Sequence, residues 1–374
     1  MEERRPYRVI AVAGTRPNFM KVGPLVRAFE AQAGVDLKLV HTGQHYDAAM
    51  SQVFFRDLGL PEPDLNLGVG SASAPEQTAR ILVAFESVVV EWKPDLVVVV
   101  GDVTSTLACA LAAAQVGVPV AHVEAGLRSF DPSMPEERNR ILTDHISDLL
   151  FTTEQSGNDN LAREGIAGDR IRFVGNVMID SLLSVRGRAR SDRPWARWDL
   201  EPGSYILTTL HRPSNVDIDD RLLTLIAALR TASESTPVVF PVHPRTRDRL
   251  EELGAADPDS EHFHLVEPIG YVDFVGLMSA AALVVTDSGG IQEETTVLNV
   301  PCLTVRPNTE RPVTVQVGTN RLVLPHEPLG PAIQDALARD NTSSSVPPLW
   351  DGKAAVRIVA DVVEFLESRV TPGA

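Results

Sequence analysis

Six short polar clusters stand out in the chain: Gly14-Thr15-Arg16-Pro17, Gly101-Asp102, Glu124-Ala125-Gly126-Leu127-Arg128, His211-Arg212-Pro213, His243-Pro244-Arg245 and Asp287-Ser288-Gly289-Gly290. Each follows a short apolar run. Asp102, Glu124 and Glu136 are the acid–base candidates. Asp102 and Glu124 end nearby apolar runs, so their carboxylates are expected to converge. Glu124 closes PVAHVE and is followed by Ala-Gly, where an unpaired carboxylate would be costly to bury. Glu136 opens a helix after Met134-Pro135, with Arg140 expected on the same face one turn on. The bland alternative is a plain cap for Asp102 and a plain first-turn acid for Glu136 or Glu137. Lys21 sits in Phe19-Met20-Lys21-Val22, and its bland alternative is a surface lysine with a buried stem.

The other clusters fit an anion. In Asp287-Ser288-Gly289-Gly290-Ile291-Gln292-Glu293-Glu294 the glycines let a diphosphate approach the backbone, and a helix N-terminus supplies free N–H groups and a positive dipole end. Ser288 adds a hydroxyl donor. Glu294 lies a turn in and can accept from both hydroxyls of a ribose. Arg16 can pair with phosphate bidentately. His211 and His243 end equivalent strands beside arginines, Arg212 among them, and read as a binding wall for an anion. These residues have no standard metal-ligand spacing, so no metal is expected. The sequence has neither G-x-G-x-x-G nor G-x-x-x-x-G-K-[ST], so no nicotinamide cofactor or P-loop chemistry is expected.

The elements that must position these residues alternate along the chain. Strands are expected over Tyr7–Ala13, Asp36–His41, Leu96–Val100, Pro119–Val123, Phe151–Thr153 and Ile171–Val174. They are expected again over Tyr205–Leu210, Val238–Val242, His264–Val266, Leu283–Thr286 and Cys302–Val305. Helices fall between them, among them Gln77–Trp92, Ser105–Gln115, Asp219–Ala232 and Tyr271–Ala280. Continuous apolar strands separated by helices indicate parallel sheets covered on both faces. The expected fold is α/β: two Rossmann-like, doubly wound domains facing a central cleft, residues 1–180 with the carboxylates and 200–352 with the diphosphate site. A C-terminal helix, 353–374, is expected to pack back toward the first domain. Ligands of such sheets sit beyond the carboxyl ends of the strands, where the polar clusters fall.

Composition narrows the partners. The 374 residues carry a net charge of −16, which argues against nonspecific binding to nucleic acid or anionic membranes. Cys109 and Cys302 lie in apolar runs and read as small buried residues. No stretch is long and apolar enough to span a membrane, and the cytoplasm is the expected location.

The chain resembles the non-hydrolysing UDP-N-acetylglucosamine 2-epimerase family. The resemblance runs from GTRPNFMK through TGQHYD, GDVTSTLA, HVEAGLRSFDPSMPEERNR, VGNVMID, TLHRPSNVD, PVHPRTR and TDSGGIQEE to RPNTERPVTVQVGTNRLV. It implies a glycosyltransferase-B-like pair of domains, a homodimer, and reversible interconversion of UDP-GlcNAc and UDP-ManNAc without a cofactor. It also implies a second UDP-GlcNAc that activates the enzyme. Carried over by motif, Lys21, Asp102, Glu124, Glu136 and His211 match catalytic positions. Arg16, His243, Ser288, Gly289, Gly290 and Glu294 match UDP-binding positions. Gln44, His45, Arg140, Arg212 and Arg311 fall in the sugar or activator region. The chain departs from the commoner pattern at Asn18, Ser214 and Thr295. Rival readings are a hydrolysing epimerase releasing ManNAc and UDP, a glycosyltransferase of the same architecture, and a non-catalytic nucleotide-sugar sensor.

Overall fold

The computed structural model describes residues 5–14, 16–43, 61–256, 262–339 and 344–370, less the side chains of Arg16, Pro17 and Val370. The chain divides into two compact units, Met1–Ser181 with Pro348–Ala374, and Leu182–Pro347.

The first unit is a parallel sheet of seven strands: β1 (Tyr7–Ala13), β2 (Val35–His41), β3 (Leu65–Asn66), β4 (Leu96–Val100), β5 (Val120–Ala125), β6 (Leu149–Thr152) and β7 (Ile171–Phe173), in the order β3-β2-β1-β4-β5-β6-β7. Its helices are α1 (Arg16–Glu30), α2 (Ala74–Trp92), α3 (Thr104–Gln115), α4 (Pro135–Ile146) and α5 (Gln155–Arg163). All five residues of β4, Leu-Val-Val-Val-Val, are buried. This is what a strand covered on both faces requires, and branched valines suit its pleated backbone. Helix α3 buries Ala108, Cys109, Ala110, Ala112 and Ala113; these small side chains let it lie close between α2 and α4.

Helix α6 (Val177–Ser191) carries the chain into the second unit. This unit is a parallel sheet of β8 (Ile206–Thr209), β9 (Val238–Pro241), β10 (Phe263–Val266), β11 (Leu283–Thr286), β12 (Cys302–Val305) and β13 (Asn320–Val323), in the order β10-β9-β8-β11-β12-β13. It carries α7 (Pro213–Val216), α8 (Asp219–Ser233), α9 (Pro244–Glu252), α10 (Tyr271–Ala280), α11 (Gly289–Leu298), α12 (Pro312–Gln316) and α13 (Leu329–Ala338). Ile206, Leu225, Leu229, Phe240, Val285 and Leu303 belong to its core.

The last helix, α14 (Ala354–Val370), packs on α1 in the first unit. The Asp180 carboxylate accepts the free N–H groups of Ala354 (3.1 Å) and Ala355 (2.8 Å) at its start, satisfying donors that a helix leaves open. The Trp350 indole donates to the Thr153 carbonyl at 2.8 Å. Among the described residues no helix is long and apolar enough to cross a membrane.

The α/β class and the two parallel sheets agree with the sequence reading. Two edge strands were not expected. β3 is only two residues long, and β13, Asn-Arg-Leu-Val, has too few apolar residues to signal a strand. The other difference bears on chemistry. β5 does not stop at Val123 but runs through Ala125, and its register against β6 shifts between Val123 and Ala125. Glu124 therefore sits in a bulge within a strand rather than at its end.

Candidate active site

In both sheets the strand order reverses at one point, between β1 and β4 in the first and between β8 and β11 in the second. The crevice beyond the carboxyl ends of such a strand pair is where doubly wound sheets bind ligands. Gly14 and Gly101-Asp102 follow β1 and β4. His211-Arg212 and Asp287-Ser288 follow β8 and β11.

In the first unit, the bulge gives Glu124 a φ of 69°. A non-glycine residue held in the left-handed region costs about 1–3 kcal/mol and persists only where its surroundings over-determine it. The Glu124 side chain is buried and forms an ion pair with Lys21 from α1. Gly101 shows why no side chain fits between them. Its φ is +71°, and a methyl there would lie 3.3 Å from both the Glu124 carboxylate and the Lys21 ammonium. Asn18, also buried, donates to the Val100 carbonyl at 3.1 Å beside the same glycine.

Asp102 is paired with Arg140 at 2.5 Å, and Asn139 donates to its carbonyl at 2.9 Å. Arg140 also holds Glu137 at 2.7 Å. The adjacent acids Glu136 and Glu137 thus have different fates. Glu137 is buried and accepts from Ser129 N–H (2.9 Å), Ser129 Oγ (2.9 Å) and Phe130 N–H (2.8 Å), shaping the loop before α4. Glu136 is exposed in the first turn of that helix. Arg140 was expected to share a face with Glu136; its ion pair is with Glu137, at the i, i+3 spacing. The structure thus brings Lys21 to Glu124 and Asp102 to Arg140, and neither pair includes Glu136.

In the second unit, Asp287 organises the turn after β8. It is fully buried and accepts from the N–H groups of His211 (3.1 Å) and Arg212 (2.9 Å) and from the Asn215 amide (3.1 Å). Burial alone would raise its carboxyl, but the His211 bond and charge and these N–H bonds outweigh that and hold it below the ordinary range. His211 Nδ1 meets Asp287 at 2.8 Å, so the other ring nitrogen is the one left for a ligand. Arg212 Nε donates to the Asp287 carbonyl at 3.0 Å. Ser214 is exposed on α7.

A cavity of about 280 Å³ opens at the ends of β8 and β9. His211, His243 and Ser288 give it polar edges, and Pro268, Ile269, Phe274 and Ile291 an apolar wall. His243 caps α9, and its Nδ1 accepts from Arg245 N–H at 3.3 Å. An accepting Nδ1 leaves the proton on Nε2, a donor for a base carbonyl or a phosphate.

Helix α11 starts at Gly289, directly after the Ser288 cap. A methyl on Gly289 would lie 3.6 Å from Arg311 and 4.0 Å from Arg306, so two guanidinium groups front the helix N-terminus. Each is backed by a buried acid: Arg306 by Glu310 through two 2.9 Å bonds, and Arg311 by Glu293 at 2.5 Å. Gln292 ties this loop to the helix, accepting from Thr309 (2.7 Å) and Asn320 (3.0 Å). Glu294 is buried and accepts from the Tyr271 hydroxyl at 2.7 Å. Burial first, then the charge of Glu293, pushes its carboxyl up to about 7 against the opposing Tyr271 bond. Thr295 donates to the Ile291 carbonyl of its own helix at 2.7 Å.

Gln44 and His45 lie outside the described residues, as does the Arg16 side chain. Cys109 and Cys302 are buried, free thiols; burial raises both, Cys302 to about 11. Among the described residues no group of three His, Cys, Asp or Glu side chains is placed to hold a metal ion. Sequence reading passed over Arg306, although it immediately follows β12 and the strand-end rule points to it. It also passed over Pro268, Ile269, Tyr271 and Phe274. Their signal is an aromatic pair opening a helix just after a short strand.

A family model described as UDP-N-acetylglucosamine 2-epimerase matches residues 27–363. A UDP-N-acetylglucosamine 2-epimerase of Methanocaldococcus jannaschii is 42% identical over 356 residues, covering 93% of this chain and 96% of that one. A UDP-2,3-diacetamido-2,3-dideoxy-D-glucuronate 2-epimerase of Pseudomonas aeruginosa is also 42% identical, over 84% of this chain and 88% of its own. The crystal structure of the M. jannaschii UDP-GlcNAc 2-epimerase in complex with UDP-GlcNAc and UDP superposes with a TM-score of 0.87 at 41% identity, covering 96% and 99% of the two chains. With two Rossmann-like sheets, polar clusters at both switch points and this extent of match, the chain belongs to the UDP-N-acetylglucosamine 2-epimerase family.

Proposed function

We propose that the chain interconverts UDP-GlcNAc and UDP-ManNAc by eliminating UDP and adding it back, without releasing the free sugar. The hydrogen at C2 of the sugar is next to an amide nitrogen, not a carbonyl, and is barely acidic. Breaking the anomeric C1–O bond changes this. UDP leaves with the electron pair, positive charge develops at C1, and a base takes the C2 proton as the C1–C2 double bond forms. The bound products are 2-acetamidoglucal and UDP. Protonation of C2 from the other face, with re-addition of UDP at C1, gives the epimer.

The observation that carries this reading is the pairing in the two units. The second unit fronts a helix N-terminus with Arg306 and Arg311, which suits a leaving diphosphate. The first holds two carboxylates beside cations, Asp102 with Arg140 and Glu124 with Lys21, which suits an oxocarbenium-like transition state and proton transfer at C2. We assign Asp102 and Glu136 to proton transfer on the two faces of C2. Glu124, locked to Lys21, acts mainly as fixed charge. Ser288, Gly289, Gly290, Arg16, His211 and His243 bind the diphosphate and base edge. Phe274 and Ile269 hold the apolar face of the base, and Glu294 the ribose. Arg212, with Gln44, His45 and, beyond its place beside the diphosphate, Arg311, serves the sugar or an activating second UDP-GlcNAc, and the working form is a homodimer in the cytoplasm.

Incubating the purified chain with UDP-GlcNAc in deuterated water, read by proton NMR, tests this. The expected result is UDP-ManNAc, with deuterium entering C2 of both sugars. Accumulation of free ManNAc and UDP alone would establish the hydrolysing reaction instead. If neither epimer nor label appears, even with added UDP-ManNAc, the substrate assignment fails. The P. aeruginosa relative's diacetamido-glucuronate makes its nucleotide-sugar the next substrate to offer.

A further inference from the structure

Beneath the two carboxylates of the first unit lies a polar network that is buried except at its Glu164 end. Its centre is Asp144, one turn beyond Arg140 on α4 and fully buried. One carboxylate oxygen meets His122 Nδ1 at 2.7 Å. The other accepts from Gly126 N–H at 3.1 Å and pairs with Arg128 at 2.7 Å. Arg128 is held in turn by Glu164 through bonds of 2.8 and 2.6 Å. The second nitrogen of His122, Nε2, meets the Gly101 carbonyl at 2.8 Å. A carbonyl only accepts, so Nε2 donates to it. Burial alone would raise the Asp144 carboxyl, but the facing charges and bonds of His122 and Arg128 outweigh it and hold it lowered.

Glu124 lies midway between two anchors of this network. His122 is two residues before it and Gly126 two residues after, and both end on the same carboxylate. The left-handed bulge at Glu124 is therefore pinned on each side. The network also reaches Asp102. Gly101 donates its N–H to the Val123 carbonyl at 3.0 Å and accepts from His122 at its own carbonyl, so both ends of the residue that leads into Asp102 are fixed to β5.

We propose that Asp144 and His122 are positioning residues for the epimerisation: sealed from substrate, they set where Asp102 and Glu124 stand relative to each other. The inference rests on the function proposed above. A displacement of reacting groups by about 1 Å can cost on the order of 100-fold in rate, so loosening this clamp should slow chemistry and leave binding in place.

The test is Asp144→Asn, nearly isosteric but without the charge, with His122→Gln and the double variant beside it. Three quantities are read: UDP affinity by calorimetry, kcat and KM for UDP-GlcNAc, and amide exchange at Gly126. Expected in Asp144→Asn are UDP affinity and KM within a few-fold of the unaltered chain, kcat lower by about 100-fold, and faster exchange at Gly126. The double variant should be no worse than the worse single one, because both residues act through one clamp. A folded, UDP-binding Asp144→Asn chain with unchanged kcat, or with unchanged exchange at Gly126, overturns the proposal. If Asp144→Asn does not fold, Glu164→Gln takes its place. It frees only Arg128 and should lower kcat by a smaller factor at unchanged UDP affinity; unchanged kcat there overturns the proposal as well. An unaltered chain that never labels C2 in deuterated water overturns the epimerase reading instead, and amide exchange at Gly126 then still decides whether the clamp exists.

Discussion

The two units share a topology and place their polar residues at the same switch point, yet their charges are arranged in opposite senses. The second unit presents cations backed by acids, Arg306 by Glu310 and Arg311 by Glu293, with the His211 ring held by Asp287. The first presents acids backed by cations: Asp102 by Arg140, and Glu124 by Lys21. An anion is what the second unit's arrangement attracts, and developing positive charge is what the first unit's arrangement suits. One fold thus gives two electrostatic surfaces, decided by the side chains at strand ends rather than by the strands.

The largest effect should come from the acid side. Asp102→Asn removes the proposed acid–base group and should lower kcat by about 10³-fold, while calorimetry should find UDP affinity nearly unchanged. Comparable losses in kcat and UDP affinity would mean that the two surfaces are not separable. The cationic side yields the next effect. Arg306→Leu removes both close bonds to buried Glu310 and leaves it only the longer Arg311 pair at 3.9 Å, costing up to about 3–5 kcal/mol of stability, and it also weakens UDP binding. Adding Glu310→Leu should restore the melting temperature, since a buried pair can be replaced by apolar residues at little cost. It should not restore UDP affinity, which should remain about 10–100-fold weaker because a charge-assisted phosphate contact is gone. Recovery of affinity together with stability would show that Arg306 only supports the fold.

The fold was largely legible because β4, β11 and β12 are mostly apolar, fully buried runs between helical segments. The start of α11 was legible too, since Ser-Gly-Gly after an apolar strand signals a helix N-terminus by local order alone. What stayed hidden depends on long-range pairing or on exact phase. Glu124 and its bulge look like a strand end in sequence, because a bulge is set by pairing with β6. Glu136 and Glu137 are neighbours in sequence, and only the helix phase decides which one turns inward to Arg140. His122 and Asp144 are 22 positions apart and lie in unremarkable surroundings, PVAHVE and TDHIS. The apolar wall of Pro268, Ile269 and Phe274 reads like core, since a pocket lining and a core share one composition.

The smallest expected effect concerns Glu294, the buried acid beside Tyr271 and Glu293. Its carboxyl is pushed up to about 7, mainly by burial. If it accepts from both ribose hydroxyls, it binds best when ionised. UDP affinity should then rise as pH climbs from about 6 to 8, by roughly tenfold for one titrating proton. Stability of the ligand-free chain should move the other way. A carboxyl raised in the folded state keeps its proton where the unfolded chain has lost it, so its contribution is complete below the ordinary carboxyl range and is lost as pH rises toward about 7. UDP titrates in the same region, so the measurement is the difference between the unaltered chain and Glu294→Gln. Calorimetry should show the extra slope in affinity only in the former, and melting curves should show the opposing slope in stability only there. Parallel pH profiles in the two proteins would place the ribose contact elsewhere. The only acid assigned to binding would then be a structural partner of Tyr271, and the second unit would recognise its nucleotide with cations and backbone N–H groups alone.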